Sequence, residues 1–149
     1  MIIMKPNEGR LQTAEHILAR TVERKVPDAK FIISKFKENI GKMEISTKKD
    51  LRRIDITKLQ YEVNTVIQKN LRVNKYIRER DEAESKFDLT RLPPSVREIR
   101  IVEIEGFDKT PCKDIHVEKT GEIGHFEILK VERTGKDRYR FVFKLTDSG

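Results

Sequence analysis

The hydrophobic period of this chain switches between about 3.6 and 2 residues several times, and that order of switches constrains the fold more than any other feature. From Leu11 to Arg24 apolar side chains recur at Leu11, Ala14, Leu18 and Val22, with Ile17 beside them, a helical spacing closed by Pro27. Phe31 to Phe36 then reads as a strand, Asn39-Ile40-Gly41-Lys42 as a turn, and Lys42 to Ser46 as an alternating return strand, together a hairpin. Helical spacing returns with Ile56, Leu59, Val63, Val66 and Ile67, capped by Asp55 or Thr57 and stopped at Asn70. Leu71 to Ile77 fits an edge strand, Arg78 to Phe87 a short solvated helix, Pro93-Pro94 a loop, and Ile99 to Ile104 a β-branched strand. A second hairpin runs from His125 to Val131 and from Tyr139 to Leu145, turning at Thr134-Gly135-Lys136-Asp137. With neither repeat nor linker to divide it, residues 1–149 are expected to form one α+β domain. Its largely antiparallel sheet should carry the helices packed on one face.

Charge narrows the function. Lys and Arg number 32 against 25 Asp and Glu, a net charge of +7 with histidines neutral, and the isoelectric point is about 9.5. A strongly acidic protein is excluded and an anionic partner is favoured. No run reaches the roughly 20 apolar residues of a membrane span. The opening Met1-Ile2-Ile3-Met4-Lys5-Pro6 is too short for a signal peptide, so a cytoplasmic protein without a membrane partner is expected. The single cysteine, Cys112, cannot form an internal disulfide; it is a buried thiol, a reactive thiol or a metal ligand.

Cys112-Lys113-Asp114-Ile115-His116 sets a thiol and an imidazole four positions apart, just after a strand and Pro111. Both can reach one Zn²⁺, which favours sulfur and nitrogen in a tetrahedron. Two ligands do not make a site, and the pair read alone also fits an unrelated cysteine and a surface histidine. On the first helix His16 lies one turn beyond Gln12, on the face next to the apolar stripe. The pair reads as polar residues bordering a buried face. Gln12 is a poor zinc donor, because its carbonyl is neutral and hard; it contributes weakly, leaves a position to water, or only hydrogen-bonds nearby. His125 reads as a strand residue at a sheet edge. Asp114 and Glu122 flank the Cys112 loop and are candidates for the base or its orienter. Gly-rich phosphate loops, a Gly-x-Ser-x-Gly elbow and a His-Glu-x-x-His helix are missing from the sequence. Basic residues are spread along the chain rather than blocked.

These pieces, in this order, resemble a known family. Arg10-Leu11-Gln12-Thr13-Ala14-Glu15-His16-Ile17-Leu18 is similar to the opening motif of the alanyl-tRNA synthetase editing domain. Pro111 to Val117, followed by Thr120-Gly121-Glu122-Ile123-Gly124, is similar to that family's second zinc motif. Asp88 to Pro93 and Ile99 to Asp108 also fit, so the resemblance runs from about Arg10 to Leu145. Without synthetase modules, the chain resembles the free-standing AlaX proteins in their short form. The resemblance implies trans-editing, the hydrolysis of seryl- or glycyl-tRNA(Ala) with the 3′ aminoacyl end of tRNA as the partner, by a monomer or weak homodimer. It further implies Zn²⁺ held by His16, Cys112 and His116, with Gln12 where the family has a histidine. Ser34 and Ile33, in the strand where the family supplies pocket residues, are candidate substrate contacts together with Thr120 and Gly121, while Asp114 and Glu122 stay catalytic candidates from their place beside the Cys112 loop alone. A second departure is Lys113-Asp114 between the ligands, where many relatives carry glycines that let a backbone approach substrate. A non-hydrolytic tRNA-binding module and a deacylase for another aminoacyl-tRNA stay open as alternatives.

Overall fold

A computed structural model describes residues 7–147; the Met1–Pro6 segment, expected to be too short for a signal peptide, lies outside them. Helix α1 (Glu8–Lys25) carries acidic Glu8 in its first turn and Arg24 and Lys25 in its last, the polarity that suits the helix dipole. It ends where Val26 turns extended, before Pro27. Strands β1 (Lys30–Lys37) and β2 (Ile40–Ser46) form the first hairpin. Its tip is Glu38-Asn39, two residues earlier than the expected turn, with Glu38 at a positive φ of 57°. Helix α2 (Ile56–Gln68) starts at Asp55, whose carboxylate accepts from the Lys58 amide at 3.0 Å. Asn70 follows it in the left-handed region, φ 52°.

Next come β3 (Val73–Glu79), a turn and a half of helix in α3 (Arg80–Glu84), β4 (Glu98–Ile104) and β5 (Asp108–Pro111), the last not anticipated. A 3₁₀ turn, Thr120–Ile123, precedes β6 (His125–Gly135) and β7 (Arg138–Thr146). The α+β class and the antiparallel pairing are as expected, but the strands divide into two sheets. One has the order β1-β2-β7-β6, the other β3-β4-β5. In α3 the expected solvated helix buries two residues, Arg80 and Ala83.

The core lies between the larger sheet and helices α1 and α2. Gly41, Met43 and Ile45 of β2 stand opposite Phe143, Phe141 and Tyr139 of β7, and all six are buried. Leu11, Ile17, Leu18 and Val22 of α1 and Leu59 and Val63 of α2 pack on this face. Glycine is required at position 41, because an added Cβ would overlap the Phe143 ring. Strand β4 buries both of its faces. Val102 and Ile104 join the main core, while Ile99 and Ile101 form a second cluster with Ala83 and Leu89. The smaller sheet is thereby held beside α1, and β5 delivers the chain to Cys112.

Candidate metal centre

Two segments far apart in sequence meet across α1. The helix contributes Gln12, Thr13, Glu15 and His16; the segment after β5 contributes Cys112, Asp114 and His116. Arg100 of β4 shapes that segment, donating from Nη1 to the carbonyls of Cys112 at 3.2 Å and Asp114 at 2.8 Å. The Cys112 amide donates back to the Arg100 carbonyl at 3.0 Å. One donor atom each from His16, Cys112 and His116 lie within 4.8 Å of one another. The two imidazoles meet edge to face, centroids 4.5 Å apart at 78°, and His116 Nε2 is 3.5 Å from Cys112 Sγ.

Thr13 settles the orientation of His116. Its buried hydroxyl donates to the Gly9 carbonyl at 3.0 Å and accepts from the Val117 amide at 3.2 Å. Its one proton is thus used, so His116 Nδ1, 3.0 Å away, donates to it. That tautomer leaves the Nε2 lone pair facing Cys112, the arrangement by which a ligating histidine is held through its other nitrogen.

Burial governs the titration of the group. It pushes the Cys112 thiol up to about 12, and lowers His16 to about 4 and His116 to about 3. Burial, with the charges of Asp114 and Glu23 adding to it, raises Glu15 to about 8. Two imidazoles with lone pairs and one thiol that a cation can deprotonate are the donors a tetrahedral Zn²⁺ site uses. The residues present therefore fit a metal of that kind.

His16 and Cys112 line a cleft of about 680 Å³ that extends between α1, β1 and the smaller sheet. Gln12, Asp114, Ile33 and Ser34 line it too. The Ser34 hydroxyl is buried there without a hydrogen-bond partner among the described residues, and Ile33 is exposed. Asp114 is exposed, and its Oδ2 accepts from the Cys112 thiol at 3.4 Å. Thr120, Gly121 and Glu122 do not line the cleft. Thr120 Oγ1 donates to the Ile67 carbonyl and accepts from the Leu71 amide, and the Gly121 amide donates to Asn70 Oδ1. Glu122 accepts from the Lys119 amide at 2.7 Å, inside the 3₁₀ turn. His125 opens β6, opposite Thr146, as the strand reading anticipated. Glu15, Thr13 and Arg100 join the site without having been expected there. Only Glu15 had a usable signal, three residues after Gln12 and next to His16.

Residues 99–142 match the family model described as the threonyl and alanyl tRNA synthetase second additional domain. That match contains Cys112 and His116 but not His16. Residues 99–142 are thus of the second-additional-domain class, and the α+β fold around them is consistent with it. Within that class the chain is AlaX-like. It is 34% identical over 146 residues to the alanyl-tRNA editing protein AlaX-M of Methanosarcina acetivorans, which covers 93% of this chain and 58% of that protein. AlaX-M of Methanosarcina mazei is 32% identical over 93% of this chain and 56% of its own length. The alanine–tRNA ligase of Methanopyrus kandleri is 30% identical over 89% of this chain and 15% of the ligase. The chain spans little more than half the length of the AlaX-M relatives. Among the described residues no helix is long and apolar enough to cross a membrane.

Proposed function

We propose that this chain is a trans-editing deacylase that hydrolyses the ester between a wrongly attached amino acid, serine or glycine, and the 3′ end of alanine tRNA. The observation that carries the reading is the His16-Cys112-His116 cluster, two of whose members, His16 and Cys112, line a cleft large enough for an aminoacyl-adenosine end. The relatives named alanyl-tRNA editing proteins support it. His16, Cys112 and His116 would hold Zn²⁺, which when bound supplies Lewis acidity to polarise an ester carbonyl. Ser34 offers its partnerless hydroxyl to a serine side chain, a contact that alanine cannot make. Ile33 supplies the apolar wall beside it. Asp114, exposed at the cleft, would take a proton from the attacking water and pass it to the departing 3′ oxygen of the terminal adenosine.

The test is release of serine from seryl-tRNA(Ala), with zinc stripped and then restored. The reading expects turnover that disappears on stripping and returns with zinc, and no comparable release of alanine from alanyl-tRNA(Ala). Binding of tRNA without turnover in either state would replace it with a non-hydrolytic module.

A further inference from the structure

The metal centre gathers three donors, and a tetrahedral ion takes four. Two side chains of α1 stand beside the cluster as candidates. Gln12 offers only a neutral amide oxygen, a weak donor for a borderline-soft cation. Glu15 is different. Only 6% of it is exposed, it lines the same cleft, and its Oε2 is 3.8 Å from His16 Nε2. Among the described residues the one side-chain donor near its carboxyl is the Ser34 hydroxyl. A carboxyl this buried with so few donors is costly unless a ligand satisfies it.

Charge points the same way. A divalent ion bound to one thiolate and two neutral imidazoles keeps one uncompensated positive charge in a buried site, and a carboxylate cancels it. Asp114 is the competing carboxylate, but it is exposed and solvated. We infer that Glu15 turns in as the fourth protein donor of this metal centre, giving a Cys-His-His-Glu set that an ester carbonyl would join only as a fifth ligand, with Gln12 a neighbour rather than a ligand. This rests on the proposed function's reading of the His16-Cys112-His116 cluster as a metal site.

Cobalt(II) is the probe, because its visible bands report the number and type of its donors, and zinc affinity is read by competition with a chromophoric chelator. Wild-type protein should give a four-coordinate cobalt spectrum. Glu15→Gln should shift those bands and weaken zinc binding by at least ~100-fold, beyond the range of an outer-shell residue, while Gln12→Ala changes neither. In the Glu15→Gln background, Gln12→His should restore affinity with a new, nitrogen-richer spectrum, which separates lost ligation from lost folding. Bands unmoved by Glu15→Gln, even with weaker binding, would overturn the inference and leave Glu15 acting through His16. Bands moved instead by Gln12→Ala or Asp114→Asn would also overturn it. Failure of the wild type to bind cobalt or zinc would remove the metal site itself, an outcome distinct from a cobalt site indifferent to Glu15.

Discussion

Thr13 connects three partners through one hydroxyl, the Gly9 carbonyl, the Val117 amide and His116 Nδ1, and each bond is between 3.0 and 3.2 Å. Removing the hydroxyl while keeping the shape should free the His116 ring to change tautomer, so Thr13→Val is expected to weaken zinc binding by about 10–100-fold. Thr13→Ser, which keeps the hydroxyl, should bind zinc as the wild type does. Chelator competition on both variants checks this, and equal losses in the two would show that packing rather than the hydrogen bond is at stake. At this scale the sequence disclosed the residues whose type announces their chemistry: His16, Cys112 and His116 meet as their family resemblance implied. It could not disclose Thr13, because a threonine in a helix is as often solvated as bonded, and its partner lies 103 positions away. Nor could it separate Glu122 from Glu15. Both are glutamates near a motif, and only the fold turns one into a 3₁₀ turn and buries the other at the cleft.

Strand β6 is an edge of the larger sheet, and helix α2 covers that edge with side chains instead of another strand. Asn64 donates from Nδ2 to the Phe126 carbonyl at 2.8 Å and accepts from the Phe126 amide at 2.9 Å. Two positions on, Gln60 accepts from the Ile128 amide at 2.9 Å. An unpaired edge invites association with another chain, and these amides close it. Asn64→Leu leaves two buried backbone groups unpaired at ~1–3 kcal/mol each, whereas Gln60→Leu leaves one. The urea midpoint should therefore fall further for Asn64→Leu than for Gln60→Leu, with the slope unchanged. Local period was enough to find α1, α2 and both hairpins, since each depends on residues close in sequence. It misplaced the first turn by two residues because Ile40 and Gly41 belong to β2, where Gly41 is chosen by the Phe143 ring and not by a turn. It missed β5, four residues of Asp-Lys-Thr-Pro with no alternation to detect. The split into two sheets was hidden for a related reason: β2 pairs with β7, about a hundred residues away, and period says nothing of partners.

Across the whole molecule, the surplus of positive charge is uneven. On the sheet face opposite the core, Lys35 stands directly across from Lys42, with Lys37 and Lys144 on either side of Ile40 in the next row. Among the described residues none of these four lysines has an ion pair, although Arg138 and Arg140 on the same face are paired with Glu44 and Glu132. Like charges opposed across a sheet destabilise it, so folding alone gives no reason to place them there. An RNA backbone does, because phosphates neutralise such charges and release counterions. If tRNA is the partner, Lys35→Gln with Lys42→Gln should lower tRNA affinity and reduce the slope of log affinity against log salt by about 0.7–0.9 for each phosphate the lysines no longer neutralise. The same pair should leave thermal stability unchanged or slightly higher, since a repulsion is removed, and should leave the cobalt spectrum as it is. Filter binding of tRNA across a salt series reads the slope. A slope identical to that of the wild type would detach this face from the RNA and make its lysines ordinary solvated charges, whatever the cleft on α1 does to the aminoacyl end.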